Sequence, residues 1–155
     1  MKKIIVLGAG LTGKEIAIEL SKKFDVTSSD IQLCSLEMLS PTYPIDVIPC
    51  NYKDKNSLRE LIHPFDLVIN AVSSSIGFET LKTIIEEKKN VVNLSVFPED
   101  IFCLDELAAK NNVTVINYPS VPKLFESFSA SINLILEEEV SRKGILNMEG
   151  ELITD

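Results

Sequence analysis

Hydrophobic and polar positions alternate along the chain in two different rhythms. The segment Lys3–Leu7 is a short, β-branched apolar run, as expected of a strand buried on both faces. From Gly13 to Phe24 the apolar residues recur at helical spacing, and charged residues fall mostly between them. Because this succession of apolar run and helical pattern repeats, it predicts strands separated by helices and therefore a parallel sheet.

Six strands are predicted, joined by right-handed crossovers that place helices on both faces of a doubly wound, mainly parallel α/β sheet. Asp54 is expected to cap one helix, and Pro98 to open another. Residues 1–124 are assigned to this domain, and 125–155 to a C-terminal helix and tail that pack on it. The predicted strands are residues 3–7, 24–30, 46–49, 66–70, 90–94 and 113–116.

A glycine-rich string, GAGLTG at residues 8–13, lies on the turn from the first strand to the first helix. In that context one glycine permits the tight turn, one lets the backbone approach a pyrophosphate, and one lets helix and strand pack closely. The helix N-terminus then offers unpaired N–H groups to phosphates. The string predicts a Rossmann-type nucleotide site, although a scaffold could keep this loop without a ligand. Its candidate binding residues are Gly8, Gly10, Leu11, Thr12 and Gly13.

Asp30 ends the second predicted strand, 17 residues after Gly13. A carboxylate about 20 residues beyond the glycines accepts the ribose hydroxyls of an adenosine and repels a 2′-phosphate. No arginine follows it to receive that phosphate, so the sequence favours NAD over NADP. The alternative is that Asp30 caps a helix beginning near Gln32.

Loops after the other strands are expected on the ligand side, because ligands bind beyond the carboxyl ends of parallel strands. Residues 95–100 should approach the nicotinamide, although Glu99 and Asp100 also suit the first turn of a helix. No catalytic role is assigned to these acids, to Ser95 or to Lys123. The further cofactor candidates are Asn51 and Tyr52 near the adenine, and Ala71, Val72 and Ser73 along the pyrophosphate and ribose.

Composition narrows the class of partner. A net charge of −8 and a pI near 4.7 argue against nucleic acid, which is bound by neutralising phosphates with Lys and Arg. No run reaches the ~20 apolar residues of a membrane span, and we expect a cytoplasmic protein.

Cys34, Cys50 and Cys103 show no metal-ligand spacing and are expected to be reduced. The single histidine, His63, is expected to complement a helix C-terminus.

The chain resembles the N-terminal dinucleotide-binding domain of the saccharopine dehydrogenase (saccharopine reductase-like) family. The matching segments are VLGAGLTGKEIAIEL at 6–20, DVIPCNYKDKNSLRELI at 46–62, DLVINAV at 66–72 and VVNLSVFPEDIFCLDELAAKNNVTVI at 91–116. The last segment is the most specific. The resemblance implies an NAD(P)-dependent oxidoreductase acting on an amino-acid-derived substrate, with most substrate contacts and the dimer interface in a second, β-rich domain.

Two departures qualify that implication. Residues 118–124 read YPSVPKL where the family has a small-residue Pro-Gly loop, and the substrate domain is absent. The segment 131–149 faintly resembles the stretch by which family chains return from that domain. We therefore expect the chain alone to bind dinucleotide without turnover, and its apolar C-terminal region to form a homodimer. A nucleotide-sensing regulatory module is the alternative function.

Overall fold

The computed structural model describes residues 2–118, 125–138, 140 and 142–151, with backbone alone for 125–127. A single sheet has the strand order β3-β2-β1-β4-β5-β6-β7, and every pairing in it is parallel. The strands are β1 (Lys3–Leu7), β2 (Asp25–Asp30), β3 (Ile45–Pro49), β4 (Leu67–Asn70), β5 (Val91–Asn93), β6 (Thr114–Asn117) and β7 (Gly144–Leu146).

Helices cover both faces of the sheet, as the doubly wound prediction requires. Those of the described residues are α1 (Leu11–Leu20), α2 (Leu33–Glu37), α3 (Lys55–Ile62), α4 (Ser74–Glu86), α5 (Asp105–Lys110) and α6 (Phe125–Leu136), with a 3₁₀ turn at Ile101–Leu104. In β1, Ile4 and Val6 enter the core beneath α1 and α6, whereas Ile5 and Leu7 enter the core beneath α3, α4 and α5. This two-sided burial explains why β1 reads as an unbroken apolar run.

The sheet reverses its winding at β1, which lies between β2 and β4. The chain leaves β1 for α1 on one face and leaves β4 for α4 on the other. Leu7 is level with Ser29 on β2 and with Asn70 on β4, so the three strands end together. Because the loops after β1 and β4 diverge to opposite faces, a crevice opens at the carboxyl ends of these strands, which is where ligands of such sheets bind.

The sheet has seven strands rather than the predicted six. The additional strand, β7, lies in the region predicted as helix and tail, and α6 ends at Leu136 rather than continuing towards Gly144. Three residues are too few for a periodic signal, and the strand is fixed by a distant partner: Asp105 Oδ1 accepts the Ile145 N–H at 2.9 Å. Gly144 has φ +121° and leaves no room for a Cβ beside Asp105.

The helix after β4 begins inside a run of three serines, because α4 starts at Ser74. Gly77 consequently lies inside the helix, where a Cβ would collide with the Ser95 side chain. The glycine therefore allows close packing of α4 against the loop that follows β5. No helix among the described residues is long and apolar enough to cross a membrane.

Candidate functional site

The three glycines of the first loop have different surroundings. Gly8 has φ +99° and its Cβ would collide with the Ala71 carbonyl, while a Cβ on Gly13 would collide with the Gly8 carbonyl. Gly10, in contrast, has an extended backbone (φ −74°, ψ −167°), and a Cβ there would have no other atom within 4 Å. Gly8 and Gly13 are thus required by packing within the protein, whereas Gly10 faces open space.

The loop is held from below by the ends of β2 and β3. The Gly8 N–H is shared between the Ser29 carbonyl (2.9 Å) and the Tyr52 hydroxyl (3.2 Å), and the Ala9 N–H donates to Asp30 Oδ2 (2.7 Å). The first turn of α1 lacks such a partner, because its N-cap is Gly10 and no side chain caps it. Its N–H groups and positive dipole end are therefore available to an anion.

A cleft of about 450 Å³, here called the central cleft, opens between this loop and the start of α4. Four further residues that the sequence reasoning missed also line it: Ile31, Gln32, Ser35 and Ile76. Ile31 and Gln32 directly follow Asp30, so their position in the chain alone indicates that they lie beside the same cleft. The predicted residues that line the cleft are Gly8, Gly10, Asp30, Tyr52, Ala71, Val72 and Ser73.

The remaining four predicted residues do not line the central cleft. Leu11, Thr12 and Gly13 form the first turn of α1 beside it, and the Leu11 side chain is exposed. Asn51 is separated from the others and lines an open groove beside β3 and α3, with its Oδ1 accepting the Lys53 N–H at 3.1 Å. Asn51 therefore belongs to a turn outside the cleft in this structure.

Asp30 uses both carboxylate oxygens in the loop that surrounds it. Oδ2 accepts the Ala9 N–H, and Oδ1 accepts the Gln32 N–H at 2.9 Å. Gln32 is itself the N-cap of α2, so the bond stabilises the turn before that helix and does not cap the helix. A carboxylate has about four acceptor positions, and two therefore remain for a ligand.

Tyr52, which the sequence places near an adenine, lies mostly beneath the glycine loop, with 7% of its surface exposed. Burial raises the pKa of its hydroxyl well above the ordinary value of 10.0. The hydroxyl consequently stays neutral while it accepts the Gly8 N–H. Tyr52 thus supports the loop through its hydroxyl group, while part of its surface lines the central cleft.

A second, smaller cavity of about 250 Å³ lies beyond β5 and β6 and is here called the outer cavity. Ser95 joins the two spaces, because its Oγ donates to the Val72 carbonyl at 2.9 Å and Val72 lines the central cleft. Asp100 accepts the Phe102 N–H at 3.0 Å, which is the helix-start role considered for it. Lys123 lies outside the described residues. The outer cavity is lined chiefly by Ser95, Val96, Glu99, Asp100, Asn117 and Tyr118.

The cysteines and the histidine lie apart from these cavities. Cys34 and Cys103 are exposed, and burial, followed by the Asp54 carboxylate, raises the pKa of the partly exposed Cys50 thiol. His63 is the C-cap of α3, and its carbonyl accepts a hydrogen bond from the Lys89 ammonium at 2.7 Å. Within the described part of the chain, no three His, Cys, Asp or Glu side chains are grouped to hold a metal ion.

The parallel sheet, the glycine loop and the crevice at the switch point define a dinucleotide-binding Rossmann domain. A family model described as the saccharopine dehydrogenase NADP binding domain matches residues 4–116. The chain belongs to this family, and its cofactor class is a nicotinamide dinucleotide. The resemblance stated from the sequence is confirmed.

Solved structures agree on the fold. The chain superposes on saccharopine dehydrogenase (L-Glu forming) from Saccharomyces cerevisiae with a TM-score of 0.70 at 20% identity, covering 84% of this chain and 31% of that one. For glucuronic acid dehydrogenase from Chromohalobacter salexigens the TM-score is 0.64 at 14% identity, covering 94% and 76%. Similarity at these identities shows a shared fold.

A curated relative, glutamyl-tRNA reductase from Thermoplasma acidophilum, is 29% identical over 118 residues. The match covers 72% of this chain and 28% of the reductase. The chain therefore spans less than a third of the length of this relative and of the yeast enzyme.

Proposed function

We propose that this chain binds NAD(H) in the central cleft and supplies the cofactor site of an oxidoreductase that acts on an amino-acid-derived substrate. The observation that carries the proposal is the Asp30 carboxylate, held 2.7 Å from the Ala9 N–H in the same cleft as the open Gly10 position. The loop bond orients the carboxylate and leaves acceptor positions for ribose hydroxyls. The pyrophosphate would then meet the first turn of α1.

A preference for NAD over NADP follows from charge. A 2′-phosphate placed against Asp30 meets a like charge, and a favourable site requires a cation to compensate. None of the described residues that line the central cleft is Lys or Arg. We therefore propose NAD as the working cofactor, although the family description names NADP.

Calorimetric titration with NAD⁺, NADH and NADP⁺ tests this proposal. We expect tighter binding of NAD⁺ than of NADP⁺, and a smaller difference in Asp30→Asn, which keeps an oxygen for the Ala9 N–H but removes the charge. Asp25→Asn is the matched control, because it removes the same charge at the opposite, exposed end of β2. Equal affinity for both cofactors in the unmodified chain contradicts the NAD preference, and no binding of either contradicts the function.

Catalysis requires more than these two cavities supply. Hydride transfer needs a substrate held about 3–3.5 Å from the nicotinamide, and a carboxylate-bearing substrate is usually fixed by Arg or Lys. The described lining of the central cleft and of the outer cavity contains neither residue. We propose that the 155-residue chain binds cofactor but does not turn over amino-acid substrates by itself.

A turnover screen checks that part of the proposal. NADH absorbance would be followed with saccharopine, with lysine plus 2-oxoglutarate, and with simple amino acids. The expected result is no enzyme-dependent rate in a preparation that binds NAD⁺ by calorimetry. A saturable rate that depends on the protein concentration would show that the chain already holds a complete catalytic site.

A further inference from the structure

Three asparagines form a hydrogen-bonded row across the carboxyl ends of three adjacent strands. Asn70, Asn93 and Asn117 end β4, β5 and β6 and are direct register partners. Asn70 Nδ2 donates to Asn93 Oδ1, and Asn93 Nδ2 donates to Asn117 Oδ1, each at 2.9 Å. Asn70 and Asn93 are fully buried. The row therefore connects the crevice beside β4 with the outer cavity beyond β6.

The direction of this row is fixed by backbone carbonyls, which only accept hydrogen bonds. Asn93 Nδ2 also donates to the Ser95 carbonyl at 3.0 Å, and Asn70 Nδ2 contacts the Gly77 carbonyl at 3.4 Å. In both amides the nitrogen, and not the oxygen, must therefore face the backbone carbonyl. Asn117 then presents its oxygen to Asn93, and its NH₂ group points the other way.

That terminal NH₂ group is a donor still available at the outer cavity. Asn117 lines the cavity, and within the described chain its Nδ2 has no acceptor. The other end of the row is also incomplete, because the buried Asn70 Oδ1 has no partner among the described residues. Buried amides are normally hydrogen-bonded, so the unpaired Asn70 Oδ1 and the Asn117 Nδ2 beside the outer cavity are positions where a ligand or a water molecule can bind.

The lining of the outer cavity selects among ligand groups. Asn117 provides a donor, and the carboxylates of Glu99 and Asp100 provide acceptors and negative charge. A ligand carboxylate would be repelled by these acids, since no described lining residue is cationic. A neutral primary carboxamide matches the lining, because it carries one carbonyl acceptor and two N–H donors.

We propose that Asn117 binds the carboxamide oxygen of the cofactor's nicotinamide ring, with Asn93 and Asn70 as positioning residues. This inference rests on the proposed function. A dinucleotide in the central cleft would extend towards the outer cavity past Ser95, which lines that cavity and is hydrogen-bonded to Val72 in the lining of the cleft. The asparagine row fixes the orientation of the Asn117 amide before the ligand arrives.

Comparing NAD⁺ with ADP-ribose, which lacks the nicotinamide, tests the assignment by calorimetry. The unmodified chain should bind NAD⁺ more tightly than ADP-ribose. Asn117→Ala should weaken NAD⁺ binding about three- to tenfold, the range for one hydrogen bond, and leave ADP-ribose binding unchanged. Asn117→Asp keeps the size and the oxygen that faces Asn93 but replaces the donor, and it should weaken NAD⁺ binding at least as much.

Asn133→Ala, at an exposed position of α6, is the control and should change neither affinity. Equal binding of NAD⁺ and ADP-ribose by the unmodified chain, or unchanged NAD⁺ affinity in both Asn117 variants, would overturn this inference and leave the proposed function standing. Equal weakening of both ligands would show that Asn117 is only structural and would also overturn it. If neither ligand binds the unmodified chain, the proposed function fails and the inference falls with it.

Discussion

Comparing Gly10→Val with Gly13→Ala separates the proposed ligand role of Gly10 from the packing role of Gly13. The Gly10 backbone is extended, with φ −74°, and apart from Gly10 itself and its two neighbours in the chain no atom lies within 4 Å of a Cβ placed there. A β-branched residue adopts this conformation without strain. At Gly13, in contrast, a Cβ would collide with the Gly8 carbonyl oxygen, which belongs to the backbone.

The expected stabilities differ accordingly. Valine is a poorer N-cap than glycine, but it also restricts the unfolded chain by roughly 0.4–1 kcal/mol, so Gly10→Val should change the free energy of unfolding by less than about 1 kcal/mol. Gly13→Ala overfills a packed contact and should lower that free energy by about 1–3 kcal/mol. Urea denaturation of both variants and the unmodified chain measures these values.

The expected affinities differ in the opposite sense. The valine side chain would occupy the space through which, on the proposed function, a pyrophosphate approaches the first turn of α1. Losing one charge-assisted hydrogen bond there removes about 1.5–3 kcal/mol, or roughly 10- to 150-fold in the dissociation constant for NAD⁺. Calorimetric titration of the folded variant gives this ratio directly. A Gly10→Val chain that binds NAD⁺ with unchanged affinity would refute the phosphate role of the loop.

Three further predictions concern the framework. Tyr52→Phe removes an acceptor from the Gly8 N–H and should lower the free energy of unfolding by about 0.5–1.5 kcal/mol in urea titration, because the Ser29 carbonyl still accepts that N–H. Burial alone would raise the pKa of the Asp105 carboxyl, but the Ile145 N–H and the Arg142 guanidinium together lower this pKa below its usual value of 3.8. The stabilisation of the fold by the Asp105 carboxylate is therefore present above pH 3.8 and is lost as the pH falls through the lowered folded-state pKa. In urea denaturation, Asp105→Asn should flatten this dependence of stability on acid. The C-terminal homodimer stays a prediction, and a monomeric mass by sedimentation at high micromolar concentration would contradict it.

The sequence revealed those parts of the fold that local patterns encode. β1 and β4 are buried on both faces and read as apolar runs, and α1 shows its buried stripe directly in the spacing of Ile16, Ala17 and Leu20. β7 has only three residues, and its position depends on Asp105, about 40 residues earlier in the chain. No window of neighbouring residues contains that information, which explains why six strands were predicted.

The candidate site divides in the same way. The glycine loop and Asp30 could be predicted because their chemistry is written in a short spacing, and the structure places them in one cleft. The contact of Tyr52 with the underside of that loop required the relative height of β1 and β3, which the sequence does not state. Asn51, its neighbour in the chain, lies outside the cleft because adjacent residues of a turn point in different directions.

The asparagine row shows what a sequence reading can recover once strands are aligned by their ends. Asn70, Asn93 and Asn117 are separated by more than 20 residues and form no motif, yet each is the last residue of its strand. Since parallel strands end at one edge, equal terminal residues become direct neighbours there, and buried amides at that edge must bond to one another. Such a row transmits orientation from one strand to the next, so the orientation of the Asn117 amide is set by the carbonyls of Gly77 in α4 and of Ser95 just after β5. A polar residue repeated at strand ends therefore predicts a hydrogen-bonded row that no single loop contains.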